Sequence, residues 1–178
     1  RGWNDVGFDA AVEPLSVVSE NNARGSFVYY GPINQPIIDI DWQDSSKFSN
    51  FTNLTVLNTS PTTRTGVTGF LFRDKLLTGA AFRVNASRLT VAYCEYAYRW
   101  GDDEGGDAGG SNFDEGRYDT LKAYRCGEAI IWDSADTDDN TLRNVFIEGG
   151  HQDVVPGYTC THKVWLRKGG TNNTITDI

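Results

Sequence analysis

Leu89 to Trp100 reads LTVAYCEYAYRW. With a period of two, Ala92, Cys94, Tyr96, Tyr98 and Trp100 fall on one face, and Val91, Tyr93, Glu95, Ala97 and Arg99 on the other. Aromatic rings stand on both faces, which predicts a central strand with one face in the core and the other against a loop or a partner subunit. The same alternation marks Pro36 to Trp42 (PIIDIDW), where Ile38 and Ile40 oppose Asp39 and Asp41. Ser26 to Tyr30, across Gly31-Pro32, is its expected partner. Further strands are predicted over Leu54 to Leu57, Val67 to Phe72, Leu76 to Val84, Leu121 to Trp132, Leu142 to Glu148 and Tyr158 to Arg167, which makes about nine.

Composition supports the same class. Val, Ile, Thr, Phe, Tyr and Trp total 61 of the 178 residues, against 37 for Ala, Leu, Glu, Gln, Lys and Met, so strand formers outweigh helix formers. The expectation is an all-β chain, a single-domain β-barrel or sandwich of about nine strands with long loops, spanning residues 1–178. Only Asp9 to Glu20 shows helical spacing, and Pro14 interrupts it, so residues 1–25 are expected to form a turn or an extended arm. Asn50 to Thr65 and the acidic, glycine-rich Gly101 to Gly116 are predicted loops, and no internal repeat is apparent.

A net charge of -8 without any run of Lys or Arg argues against nucleic acid, and no apolar stretch is long enough for a membrane span, so a soluble protein without membrane insertion is expected. The chain starts at Arg1 without a signal peptide and contains no methionine, which predicts a processed product.

Catalytic and metal chemistry find little support. Gly66 to Phe82 (GVTGFLFRDKLLTGAAF) resembles the trypsin-like protease segment that delivers the catalytic histidine, and Gly106 to Ser111 (GDAGGS) resembles that family's nucleophile loop. Phe82 stands at the histidine position and Ala108 at the nucleophile position, only 26 residues apart, so no activated oxygen is available and no enzyme is expected. His151 and His162 lack partners at zinc spacing. Asp136 to Asn140 begins like a calcium loop, but Thr141 replaces the glycine and Ile147 the closing glutamate. No cofactor and no metal is therefore assigned. Cys94, Cys126 and Cys160, an odd set without close spacing, read as buried thiols rather than a disulfide framework. Sequons at Asn50, Asn53, Asn58, Asn85 and Asn172 are a mild excess for this composition.

What is left is the profile of a recognition module. In overall character (Trp42 and its strand, the Tyr93 to Trp100 strand, the acidic loop from Gly101) the chain resembles the astrovirus capsid spike, the protruding surface domain of a non-enveloped virus. The resemblance implies a homodimeric spike on the virion surface that attaches to a host receptor or glycan. A carbohydrate-binding, lectin-like domain of a secreted protein is the alternative, followed by a degenerate trypsin-like fold without activity. The expected ligand-binding residues are Trp100 and Tyr118, whose ring faces flank the acidic loop, with Asp102 and Asp103 at its start.

Overall fold

The computed structural model describes residues 7–9, 15–18, 25–29, 36–41, 49–58, 66–73, 80–82, 84–101, 112–132, 139–148, 162–166 and 172–178. Every regular element among them is a strand, and every strand pairing is parallel. The chain advances in coils. The first supplies β1 (Gly7–Asp9), β2 (Leu15–Val18) and β3 (Gly25–Tyr29). The second supplies β4 (Pro36–Asp41), β5 (Ser49–Thr52) and β6 (Leu54–Asn58). The third supplies β7 (Thr68–Arg73), β8 (Ala80–Phe82) and β9 (Val84–Ala92). The fourth supplies β10 (Tyr96–Trp100), β11 (Asn112–Asp114) and β12 (Arg117–Tyr124). Then come β13 (Glu128–Trp132) with β14 (Thr141–Glu148), and β15 (His162–Leu166) with β16 (Thr174–Thr176).

Each strand pairs with its counterparts in the coils before and after. One sheet runs β1-β4-β7-β10-β13-β15 and the other β2-β5-β9-β12-β14-β16, with β6 joining β3 to β9 and β8 pairing β11 separately. Parallel neighbours cannot be joined by a tight hairpin, so each connection is a whole coil. Tyr96 lies opposite Thr68 and Glu128, steps of 28 and 32 residues. The result is a stacked parallel solenoid, in which like positions of successive coils form columns.

Columns of left-handed residues set its corners, one of them at Glu115 (φ 54°), Asp139 (55°) and Asn172 (57°) on entry to the second sheet. Asn53 (φ 59°), Arg88 (54°), Thr120 (56°), Asn144 (54°) and Asp177 (55°) all adopt the left-handed conformation, and the register stacks them in one column. At Arg88, Thr120 and Asn144 the bend turns two consecutive side chains outward. Ser87 and Arg88 lie outside between buried Ala86 and Leu89, and Arg143 and Asn144 lie outside between buried Leu142 and Val145. Another corner at Tyr93 (61°) and Arg125 (51°) leads from the second sheet into the next strand of the first. Its amides bond across coils, from Tyr93 to the Tyr124 carbonyl (3.1 Å) and from Arg125 to the Glu148 carbonyl (2.9 Å).

The core lies between the sheets and is built of columns. Ile38, Phe70, Tyr98 and Ile130 are in register, as are Phe72, Trp100 and Trp132. Phe72 stacks on Trp100 at 5.1 Å between ring centroids, and Trp100 lies 5.4 Å from Trp132. Facing them from the second sheet are the buried columns Phe51, Ala86, Tyr118, Leu142 and Leu89, Leu121, Val145. The Tyr98 hydroxyl crosses the core and donates to the Lys122 carbonyl at 3.0 Å, and burial pushes its pKa well up. A Cβ at Gly69 would collide with Val91 Cγ1 and come within 2.8 Å of the Ala97 carbonyl, so glycine is what lets the sheets approach there.

The all-β expectation holds, whereas its finer form needs correcting. The described strands are shorter and more numerous than nine, and they pair in parallel between stacked coils. The proposed Leu89 to Trp100 strand is two, β9 and β10, with the Tyr93 corner between them, and Leu121 to Trp132 is likewise split at Arg125. β3 and β4 are not partners; β3 pairs β6, while β4 lies between β1 and β7. Within residues 1–25, β1 pairs β4 and β2 pairs β5, and β5 and β6 occupy part of the expected Asn50 to Thr65 loop. Of the acidic loop, residues 102–111 lie outside the described residues, and Asn112–Asp114 form β11.

Candidate functional site

The outward side of the second sheet carries two clefts, one on each side of the left-handed bend. Beyond the bend, the register stacks Thr55, Thr90, Lys122 and Phe146 in one column, and Leu57, Ala92, Tyr124 and Glu148 in the next. Parallel strands lie about 4.8 Å apart, so these side chains form a ladder across the coils. The C-terminal part of the ladder borders an open groove of about 620 Å³ whose lining includes Thr90, Lys122, Tyr124, Phe146, Glu148 and Ile178. Phe146 holds the outward position after buried Val145, and 55% of it is exposed; Ile178, at the groove's end, is 61% exposed. The Lys122 ammonium sits 5.4 Å from the Phe146 ring centroid, a cation on a ring face. Tyr124 is fixed edge-on against Tyr93 (5.7 Å) and beneath the Arg125 guanidinium (5.1 Å).

Before the bend the columns are polar. Asn85 Nδ2 donates to Asn50 Oδ1 (3.1 Å), and the Thr52 and Ser87 hydroxyls share a hydrogen bond (3.2 Å). In the next coils Asp119 accepts from Asn144 Nδ2 (2.8 Å), Arg143 Nη2 (3.2 Å) and the Thr120 hydroxyl (3.2 Å). The Asn144 hydrogen bond is the main cause that holds the Asp119 carboxyl below the usual range; the Arg143 charge adds to it and partial desolvation opposes it. A cleft of about 240 Å³ opens here, lined by Arg117, Tyr118, Asp119, Thr141 and Arg143. Its one carboxylate in the lining, Asp119, already accepts three hydrogen bonds and keeps acceptor capacity for one more donor. It can position a hydroxyl, but with no second acid in the lining the cleft offers no acid–base pair.

The sequence-predicted binding residues fall elsewhere. Trp100 and Tyr118 are brought together, 4.9 Å apart and edge to face, but both are 1% exposed and belong to the core. Their alternation places both rings inward, whereas the expectation had them flank the acidic loop as ligand-binding faces. Asp102 and Asp103 lie outside the described residues, as do Ala108, His151 and Cys160. Phe82 is in β8, whose backbone pairs with Asp114, and His162 begins β15. Cys94 and Cys126 are buried thiols whose sulfurs donate to backbone carbonyls, Cys94 to Ala92 (3.6 Å) and Cys126 to Tyr124 (3.5 Å). Asn140, from the calcium-like stretch, is buried and bonded to backbone. Among the described residues no three His, Cys, Asp or Glu side chains converge on a metal position, and no helix is long and apolar enough to cross a membrane.

Phe146 and Lys122 were not singled out from sequence, although a signal for them exists. Thr55, Thr90, Lys122 and Phe146 each follow a buried aliphatic residue, namely Leu54, Leu89, Leu121 and Val145, immediately after the bend. Aligning the four coils would have shown a phenylalanine at the end of an otherwise polar column.

No protein-family model matches the chain, and comparison with curated proteins and with solved structures likewise gives no match.

Proposed function

We propose that this chain is a non-enzymatic surface recognition module that binds a saccharide chain on the outward side of its second sheet, beyond the bend. The observation that carries the reading is the largely exposed Phe146 ring at the end of the Thr55, Thr90, Lys122 column, in a groove open to solvent. An exposed aromatic beside hydroxyl and charged side chains suits the alternating apolar and hydroxylated faces of a pyranose. The backbone polar groups of β9 and β12 are engaged within the sheet on this face, so recognition along these strands falls to side chains. A stiff solenoid displaying such a ladder fits attachment of a virion to a host glycan, the role expected from sequence. A secreted lectin-like module would use the same groove.

A broad glycan array probed with the purified chain and with Phe146→Ala tests this. Retention of particular glycans by the native chain and their loss from a folded Phe146→Ala variant is the expected result. Absence of binding to every glycan, or undiminished binding by the variant, contradicts it.

A further inference from the structure

Resting on that reading, we infer that the groove selects saccharides bearing a carboxylate, with Lys122 as the residue that reads it. The Lys122 ammonium lies over the Phe146 ring and makes no ion pair among the described residues. It stands half-buried in the groove, where water screens it less than on an open surface. A sugar stacked on the exposed part of Phe146 would hold a carboxyl substituent within reach of that ammonium. The ring would meet the apolar sugar face while the cation met the anion. Replacing the cation–ring contact by a charge-assisted hydrogen bond leaves the ammonium better satisfied than before.

The acidic surroundings sharpen the selection. Glu148 lines the same groove and Asp177 stands in the bend column of the next coil. In a chain of net charge -8 these acids oppose densely charged polymers, whose further anions would meet them. One carboxylate on a ring suits the single lysine, as in a uronate or a sialate, whereas a heavily sulfated chain does not.

The discriminating experiment uses an array that prints uronate- and sialate-containing glycans beside their carboxyl-reduced counterparts, read with the native chain, Lys122→Gln and Lys122→Arg. The expected result is retention of a carboxylated glycan about tenfold above its reduced form, the scale of one charge-assisted contact. The preference should disappear in Lys122→Gln while residual binding persists, return in Lys122→Arg, and weaken with salt. Circular dichroism of each variant confirms that it is folded. Equal retention of acid and reduced forms, or a preference that survives Lys122→Gln, overturns this inference while leaving saccharide binding intact. If no glycan of either kind is retained, or if acidic peptides bind in their place, the broader reading falls with it.

Discussion

Asn140 directs its side-chain oxygen at the backbone amide of Gly116 in the preceding coil, 2.8 Å away. Its own amide donates to Asn173 Oδ1 at 3.0 Å, so the same device repeats one coil further on. Asn140 is fully buried, and a Cβ at Gly116 would collide with its oxygen and lie 2.6 Å from the Tyr118 hydroxyl. Deleting the side chain orphans a buried N–H. Asn140→Ala should therefore destabilise the fold by about 1–3 kcal/mol. Denaturant unfolding at neutral pH measures this, and a change within error would show that water replaces the amide at no cost.

The bend column offers a change of opposite sign. Asn53 and Asn144 tolerate the left-handed conformation, whereas Thr120 adopts it (φ 56°) with a β-branched side chain. Thr120→Asn copies the residue found at Asn53 and Asn144 in the same column. It removes backbone strain at the expense of a 3.2 Å hydroxyl bond to Asp119. The variant should be more stable by up to about 1 kcal/mol, seen as a higher melting temperature. A lower one would mean that the Asp119 contact outweighs the strain.

Strand content was legible in the sequence because alternation is a local property, as in Ile38 and Ile40 against Asp39 and Asp41. The coil was not, although Cys94 to Trp100 (CEYAYRW) and Cys126 to Trp132 (CGEAIIW) occupy the same positions one coil apart. Steps between coils vary, 32 residues from Asn85 to Arg117 but only 24 from Arg117 to Thr141, and such uneven spacing hides a repeat from a fixed-period search. Corners were harder still. Arg88, Tyr93, Thr120 and Arg125 take positive φ without being glycine, so nothing at those positions signals a turn, and two strands read as one. The sequon excess has the same root. Asn50 and Asn85 pair as an amide ladder, Asn53 holds the bend, and buried Asn58 donates to the Tyr93 carbonyl (3.0 Å), so these asparagines serve the stack.

Trp100 and Tyr118 now carry the reverse expectation of binding residues. Trp100 touches Phe72, Tyr98, Tyr118 and Trp132, and losing that packing by Trp100→Ala should cost about 3–5 kcal/mol. Burial drives the Tyr118 hydroxyl pKa upward; the Trp100 indole opposes this weakly, yet the hydroxyl completes no hydrogen bond of good geometry. Tyr118→Phe keeps the ring and drops an unsatisfied oxygen, so its stability should match or exceed the native chain by about 1 kcal/mol. A marked loss in chemical denaturation would reveal a buried partner for that oxygen.

Asp119 gives the fold an acid-sensitive contact. Its folded-state pKa is depressed, first by Asn144 and then by Arg143, so the group binds a proton less readily folded than unfolded. The stabilisation is thus fully present above the unfolded carboxyl value of about 3.9 and is lost as pH falls through the lower folded value. Arg143 is 57% exposed and the bond is in part a surface ion pair, so the contribution is small and salt-dependent. Asp119→Asn keeps the shape of the side chain without its charge. The stability difference between native chain and variant should be constant from pH 7 to about 5 and shrink toward zero below about pH 4. A difference that persists at pH 2.5, or one that appears only on acidification, would place the acid-labile interaction elsewhere in the solenoid.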